Sequence, residues 1–289
     1  MKKSLILFCL ALLGSACQHK PALREAAPAP AAVEAPAAAT ARPAAPAAAP
    51  ALTAEMRTFL QQNDLSALWQ NKVENRREYP AFSGFFGADH YRIGFVFSRV
   101  TQDAQRPEVF HVQGKNQFKK VVTPFEGTLT VTQIADLDSY MDLDSVAMRT
   151  ARAYTVTADF VLRENPAAKT AGVFRGTGHL DLYRTADGTM DQLIGMPGVA
   201  DKNPTKGSGL LFAGEWTSNS TGRRKPVLLA NDVFVIAPAV LKDFGIGERG
   251  GEINPKYAKL GWTAIWENEE WWAEPGSGPV TAQAPADSL

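Results

Sequence analysis

Tyr154-Thr155-Val156-Thr157-Ala158-Asp159-Phe160-Val161-Leu162 carries its core-forming side chains at every second position. Tyr154, Val156, Ala158, Phe160 and Leu162 share one parity, while Thr155, Thr157 and Asp159 take the other. Successive side chains of a strand point to opposite faces, so this stretch predicts a strand with one apolar and one polar face. The same period recurs on both sides of it. Within His90–Val100, Tyr91, Ile93, Phe95 and Phe97 alternate with His90, Arg92, Gly94 and Ser98. Phe125, Leu129 and Val131 share parity against Glu126, Thr128, Thr130 and Thr132, and Phe174, Leu180 and Leu182 follow the same rule, as do Leu210, Phe212 and Trp216. A polar face on every strand argues for antiparallel sheet, because the doubly buried strands of an α/β fold read as unbroken apolar runs.

Phe-x-Gly occurs three times in these strands, as Phe125/Gly127, Phe174/Gly176 and Phe212/Gly214. Two positions apart, ring and glycine lie on the same apolar face. Glycine there permits the sharp bend of a curling sheet, and a ring can cover the bare backbone. The expected fold is mainly β: an antiparallel, closed or nearly closed barrel, with a β-sandwich as the alternative. One or two short helices precede it. Thr53 is a suitable N-cap for a helix with Met56, Phe59 and Leu60 on one face, and Asn63 or Asp64 for a second carrying Leu65, Leu68, Trp69 and Val73. Gly214-Glu-Trp216 resembles the Gly-x-Trp element of lipocalin and avidin-like barrels. Those families carry it on their first strand, whereas here it falls late in the domain.

Upstream the chain changes character. Lys2 and Lys3, the apolar run Leu5–Leu13 and the small residues Gly14, Ser15 and Ala16 read as an export signal over 1–16. Leu13-Gly-Ser-Ala-Cys17 resembles the lipobox of bacterial lipoproteins, although Gly14 stands where that family prefers Leu, Val or Ile. The resemblance implies cleavage by signal peptidase II, acylation of Cys17 and, from Gln18 in place of Asp, sorting to the outer membrane. Ordinary cleavage after Ala16 is the alternative. Residues 17–52 form a tether, 23 of the 30 from Pro21 to Pro50 being Ala or Pro. Its seven prolines interrupt any helix and its few large apolar side chains cannot offset the entropy of ordering. The folded domain is expected over 53–275 and a disordered tail over 276–289.

The 289 residues carry 30 basic and 30 acidic side chains, a balance that gathers no nucleic acid. Of two cysteines, Cys9 leaves with the signal and Cys17 is terminal, so thiol catalysis, disulfides and cysteine-ligated metals are excluded from the domain. His90, His111 and His179 lack metal-ligand spacing, and His179 and Asp181 fall on the polar, solvent-facing parity of their strand. The duplicated Asp-Leu-Asp-Ser around Asp138 and Asp142 could chelate calcium loosely but lacks the glycine and glutamate of an EF-hand loop. Gly245-x-Gly247-x-x-Gly250 is followed by Pro255, which forbids the helix a dinucleotide site needs. Arg223-Arg-Lys225 follows a hairpin-turn composition and reads as solvated charge. No cofactor, metal or enzymatic activity is expected.

Two binding functions remain. The leading expectation is a small apolar or amphipathic ligand held in a barrel interior lined by Phe95, Phe97, Phe125, Phe160, Phe174 and Trp216, since a barrel of about eight strands either fills with side chains or holds one small ligand. The alternative is a glycan- or protein-binding surface on the C-terminal segment, where Trp262, Trp266, Trp271 and Trp272 interleave with Glu267, Glu269 and Glu270. Indoles stack on sugar faces and carboxylates accept hydroxyl hydrogen bonds. Packing of Trp262 and Trp266 onto the barrel, or across its open end, competes with that reading.

Overall fold

The computed structural model describes residues 52–72, 81–137, 150–168, 170–195, 200–247, 252–267 and 270–273. The expectations for the signal, Cys17, the tether, Val73, Asp138, Asp142, Gly250, Glu269 and the tail concern residues outside that set. All described residues belong to one compact unit, Ala48–Leu289.

Nine strands form the principal sheet: β1 (Ala81–Phe86), β2 (Tyr91–Gln102), β3 (Val109–Phe118), β4 (Val121–Asp136), β5 (Arg152–Glu164), β6 (Gly172–Arg184), β7 (Met190–Gln192), β8 (Leu210–Ser218) and β9 (Arg224–Ala230). Each pairs antiparallel with its sequence neighbour, except that β8 lies beside β6 and the short β7 extends the far end of β6. Pairing of β9 with β1, Leu229 opposite Gly84, closes eight of these strands into an up-and-down barrel. The barrel and its preceding helices are as the alternation predicts, and the sandwich alternative is not realised.

Inward positions on β2, β4, β5, β6 and β8 are those the period selects, and Phe82 of β1 and Phe110 of β3 join them. Phe82, Phe95, Phe97, Phe110, Leu129, Val156, Phe160, Phe174, Leu180 and Phe212 are all buried in one cluster. Bulges at Ser98 and Thr132 shift the parity of β2 and β4 and bend both strands. Gly176 and Gly214 face each other across β6 and β8, where a Cβ would lie 2.2 Å from Ala213 O and 2.1 Å from Arg175 O respectively. The strands therefore approach more closely than any side chain allows. The rings cover glycines of the adjacent strand, not those of their own motif: Phe125 lies over Gly114, Phe212 over Gly178 and Trp216 over Gly172.

One end of the barrel is plugged by α1 (Ala54–Gln62) and α2 (Ser66–Trp69). Thr53 caps α1 by accepting from Met56 N at 3.2 Å, and Asp64 accepts from Ser66 N at 2.8 Å. Leu60, Leu65, Leu68 and Trp69 join the barrel cluster, with Trp69 at 6.0 Å from the Phe212 ring. Gln70 donates to the carbonyl of the bulged Ser98 at 2.6 Å. Asn71, Asn231 and Gln192 close a ring of amides: Asn71 donates to Asn231, Asn231 to Gln192 and Gln192 to Asn71. At the other end Glu164, buried, accepts from Asn116 Nδ2, Gly172 N and Trp216 Nε1 at 2.7–2.9 Å. Lys225 Nζ lies over the rings of Phe86, Phe118 and Trp216 at 4.8, 5.4 and 5.6 Å.

The remaining chain wraps part of the outer wall. Val233–Val235, α3 (Ala237–Val240), a hairpin of β10 (Gly245–Ile246) with β11 (Glu252–Ile253), and two 3-10 turns, Pro255–Leu260 and Trp262–Trp266, follow β9. They build a second core over the outward side chains Phe85, Leu211 and Leu228. Trp262 is fully buried there, 4.7 Å from Phe85, and donates to His90 O at 3.1 Å. It thus packs on the wall, while Trp266 stacks on Phe234 at 5.7 Å instead of capping the barrel end. This wrap and, over β5 and β6, the 200–209 loop cover parts of the outward face.

Removing the largest plug side chain tests whether the helices belong to the cooperative core. Trp69→Ala should lose about 3–5 kcal/mol in urea unfolding. A loss below 1 kcal/mol would show that the barrel end needs no plug.

Candidate functional site

The six interior rings touch each other directly or through Phe212. Phe95 lies 5.4 Å from Phe125 and 5.0 Å from Phe174, Phe97 lies 6.0 Å from Phe125, and Phe174 lies 6.4 Å from Trp216. Phe160 meets the set through Phe212 at 5.8 Å, and Phe97 does so at 5.5 Å. Tilted and edge-on contacts at these separations are the usual packing of buried aromatics. None of the six borders either of the two clefts described below.

One concavity lies on the outer wall, a cleft of about 450 Å³ between β1–β3 and the C-terminal wrap. Ala81, Ser83, Arg92 and Gln117 contribute from the strands, Asn231–Phe234, Gly261 and Ala264–Glu267 from the wrap, and Trp271 and Trp272 from the segment beyond. Gly94, on the outward face of β2 opposite Ser83, makes this possible. A Cβ there would come within 3.1 Å of the Trp271 ring, so the bare backbone seats an indole. Lys115 donates to Trp272 O at 2.9 Å and fixes the following residue. Trp266 rests one face on Phe234, with interplanar angle 26°, and remains 59% exposed. Tyr91, Lys119 and Lys120 line the cleft at the opposite end of β1. Five residues of strand separate the ends, roughly 17 Å.

The tryptophan segment read from sequence thus divides. Trp266, Trp271 and Trp272 line one cleft, Trp262 is buried beneath it, and Glu269 lies outside the described residues. Glu267, on the cleft, is the carboxylate the structure places there beside Asp232, whose Oδ1 accepts from Phe234 N. Sequence reading missed Tyr91, Arg92, Lys119, Lys120 and Phe234. Only the turn had a legible signal, a Lys-Lys pair between two extended segments.

A second concavity, also about 450 Å³, is shallow and opens over Arg99, His111, Gln113, Glu126 and Arg163 on the wall of β2–β5. Beside it Asp103 accepts from His111 Nε2 at 3.0 Å and Arg106 Nη2 at 3.1 Å. Those two bonds, then the amides of Gln105 and Arg106, hold its carboxyl well below the usual range. The group closes the β2–β3 turn. Among the described residues no three His, Cys, Asp or Glu side chains converge as metal ligands.

His179 and Asp181 require a correction. Their parity is outward, but the 200–209 loop covers the wall and Asp181 is fully buried. It accepts from Thr155 Oγ1 at 2.6 Å and from Thr205 N and Oγ1, and so pins that loop to β5 and β6. Burial raises its pKa against those hydrogen bonds. His179, within 3.2 Å of Thr157 Oγ1, is half-buried, and desolvation lowers its pKa despite the neighbouring Asp181. Comparison with family models, curated proteins and solved structures finds no significant match for this chain.

A histidine held neutral by burial destabilises the fold as pH falls below its ordinary 6.5, because the unfolded chain takes up the proton first. Asp181, shifted upward, acts in the opposite sense. The loss of urea-midpoint stability between pH 7.5 and 5.5 should therefore shrink in His179→Gln. An unchanged pH profile would show that His179 is not desolvated.

Proposed function

We propose that this chain is an exported lipoprotein of the bacterial outer membrane whose barrel serves as a non-enzymatic scaffold, presenting its outer cleft to a carbohydrate of the cell envelope. The observation that carries this reading is Trp266, supported on one face by Phe234 and 59% exposed, with Trp271 and Trp272 along the same cleft. A supported indole with an open face is a rigid platform for the apolar side of a sugar ring. Asp232, Glu267, Ser83, Gln117 and Asn231 supply acceptors and donors for hydroxyls around it. An interior ligand is the weaker alternative, because it would have to part rings already in contact.

Retention on peptidoglycan sacculi, chitin and cellulose tests the cleft. Trp266→Ala and Trp272→Ala should each weaken binding about tenfold or more while the thermal melt is retained. Failure of the native chain to bind any of the three, or equal binding by Trp266→Ala, overturns the reading.

The anchor is tested separately, by mass spectrometry of the protein from its own membrane. Diacylated or triacylated Cys17 at the new N-terminus is expected, and Cys17→Ser should yield a protein that high salt releases from the membrane. An unmodified N-terminus at Cys17 would assign ordinary cleavage after Ala16.

A further inference from the structure

The barrel end opposite the helical plug has an unusual turn. Lys119 and Lys120 alone join β3 to β4, Phe118 being paired with Val121, and both lysines have positive φ, 51° and 65°. A two-residue hairpin with both central residues left-handed is the type I′ arrangement, which strongly favours Asn-Gly. The Cβ of an L-residue crowds the following carbonyl at each position, a cost that lysine, unlike asparagine, does not offset by a local hydrogen bond, so two lysines there are a local sacrifice. The next two residues compound it. Val121 is 59% exposed and Val122 39%, and with Trp266 they are the large apolar side chains left exposed among the described residues.

The same end concentrates positive charge. The β8–β9 hairpin brings Arg223, Arg224 and Lys225 beside the β1–β2 turn, where Gly87 N donates to Pro226 O. Lys119 and Lys225 both lie over the Phe118 ring, at 5.3 and 5.4 Å, which ties the two hairpins to one rim. The carboxylates facing this rim are Asp89, Glu215, 3.5 Å from Arg224, and Glu164, buried beneath three donors. In a chain of 30 basic and 30 acidic residues this is a marked local excess.

We propose that the Lys119-Lys120-Val121-Val122 rim docks on an anionic lipid bilayer. Basic side chains near such a surface are drawn to its headgroups, and adjacent apolar ones enter the boundary between headgroups and acyl chains. The valines decide between bilayer and soluble polyanion, because a polyanion would gain nothing from them. Acylation at Cys17 would hold the rim near a membrane. The 36 residues of 17–52 outnumber the 16 of the longest described strand, Val121–Asp136, so an anchor at Cys17 leaves chain enough for this end to reach the bilayer.

The test uses the chain from Gln18 to Leu289, which lacks the acylated cysteine, so that any binding belongs to the protein surface. It should co-sediment with vesicles containing phosphatidylglycerol and not with phosphatidylcholine alone. Replacing Lys119→Asn with Lys120→Gly installs the residues the turn prefers. The melting temperature should therefore rise while vesicle partitioning falls about thirtyfold. Val121→Ser with Val122→Ser should keep the melt and also lose partitioning. Absence of binding by the native chain, equal binding to both vesicles, or full binding by the lysine variant overturns the proposal. Full binding by the valine variant also overturns it, in favour of a polyanion site.

Discussion

Closure of the sheet through the β1–β9 pairing is the constraint on which the other features depend. Once Ser83–Phe86 pair with Val227–Ala230, no barrel strand is left as an open edge, and the interior must be filled from eight strands at once. Aromatic rings meet that demand, and their size forces compensation elsewhere. Glycines of β3 and β6 give up their side chains where Phe125, Phe212 and Trp216 lie over them. The pair Gly176 and Gly214 relieves a close approach of neighbouring backbones. Each substitution of Ala at these positions would set a methyl group against backbone or ring, and a densely packed interior has little room to yield.

Closing a barrel also creates two ends, and they are sealed by different physics. At one, α1 and α2 add apolar side chains to the core, and Asn71, Asn231 and Gln192 pair their amides in a ring. Buried amides cost little when each has a partner, and they fix one docking geometry in a way that apolar contacts alone do not. At the other end no helix intervenes. Lys225 spreads its charge over three rings, and Glu164 gathers three donors just inside. That arrangement admits water to the cation while the rings stay packed, the balance a long amphipathic side chain strikes.

The alternation of Tyr154–Leu162 and its companions was legible because those strands have one covered and one wet face. β1 was not. Ala81-Phe-Ser-Gly-Phe-Phe86 buries both faces, Phe82 and Phe86 inward and Phe85 beneath the wrap, so it shows no period of two. β3 was obscured by Asn116 and Gly114 at inward positions, one bonded to Glu164 and the other under Phe125. The error over Asp181 has the same origin. Strand parity reports the direction of a side chain, and only tertiary structure reports that the 200–209 loop comes back to cover it. Of the cleft, the tryptophans were visible as composition. Gly94 was not visible as their seat, because its role depends on a ring 177 positions away in the chain.

The wrap explains why the cleft is on the wall. Phe85, Leu211 and Leu228 point outward from β1, β8 and β9, and these apolar side chains require cover that the barrel itself cannot supply. Residues 231–247 and 252–267 provide it with short turns instead of a long helix. Short turns follow a curved wall, but they cannot seal against it along their whole length. The gap falls beside β2, where Gly94 lowers the surface and Trp271 is drawn in. Trp266 is then left with one face supported by Phe234 and the other in solvent. Burying that second face would need only a few more residues from the wrap. Its exposure is thus a property of this particular path of the chain, and a ligand that covers the indole completes packing that the fold leaves unfinished.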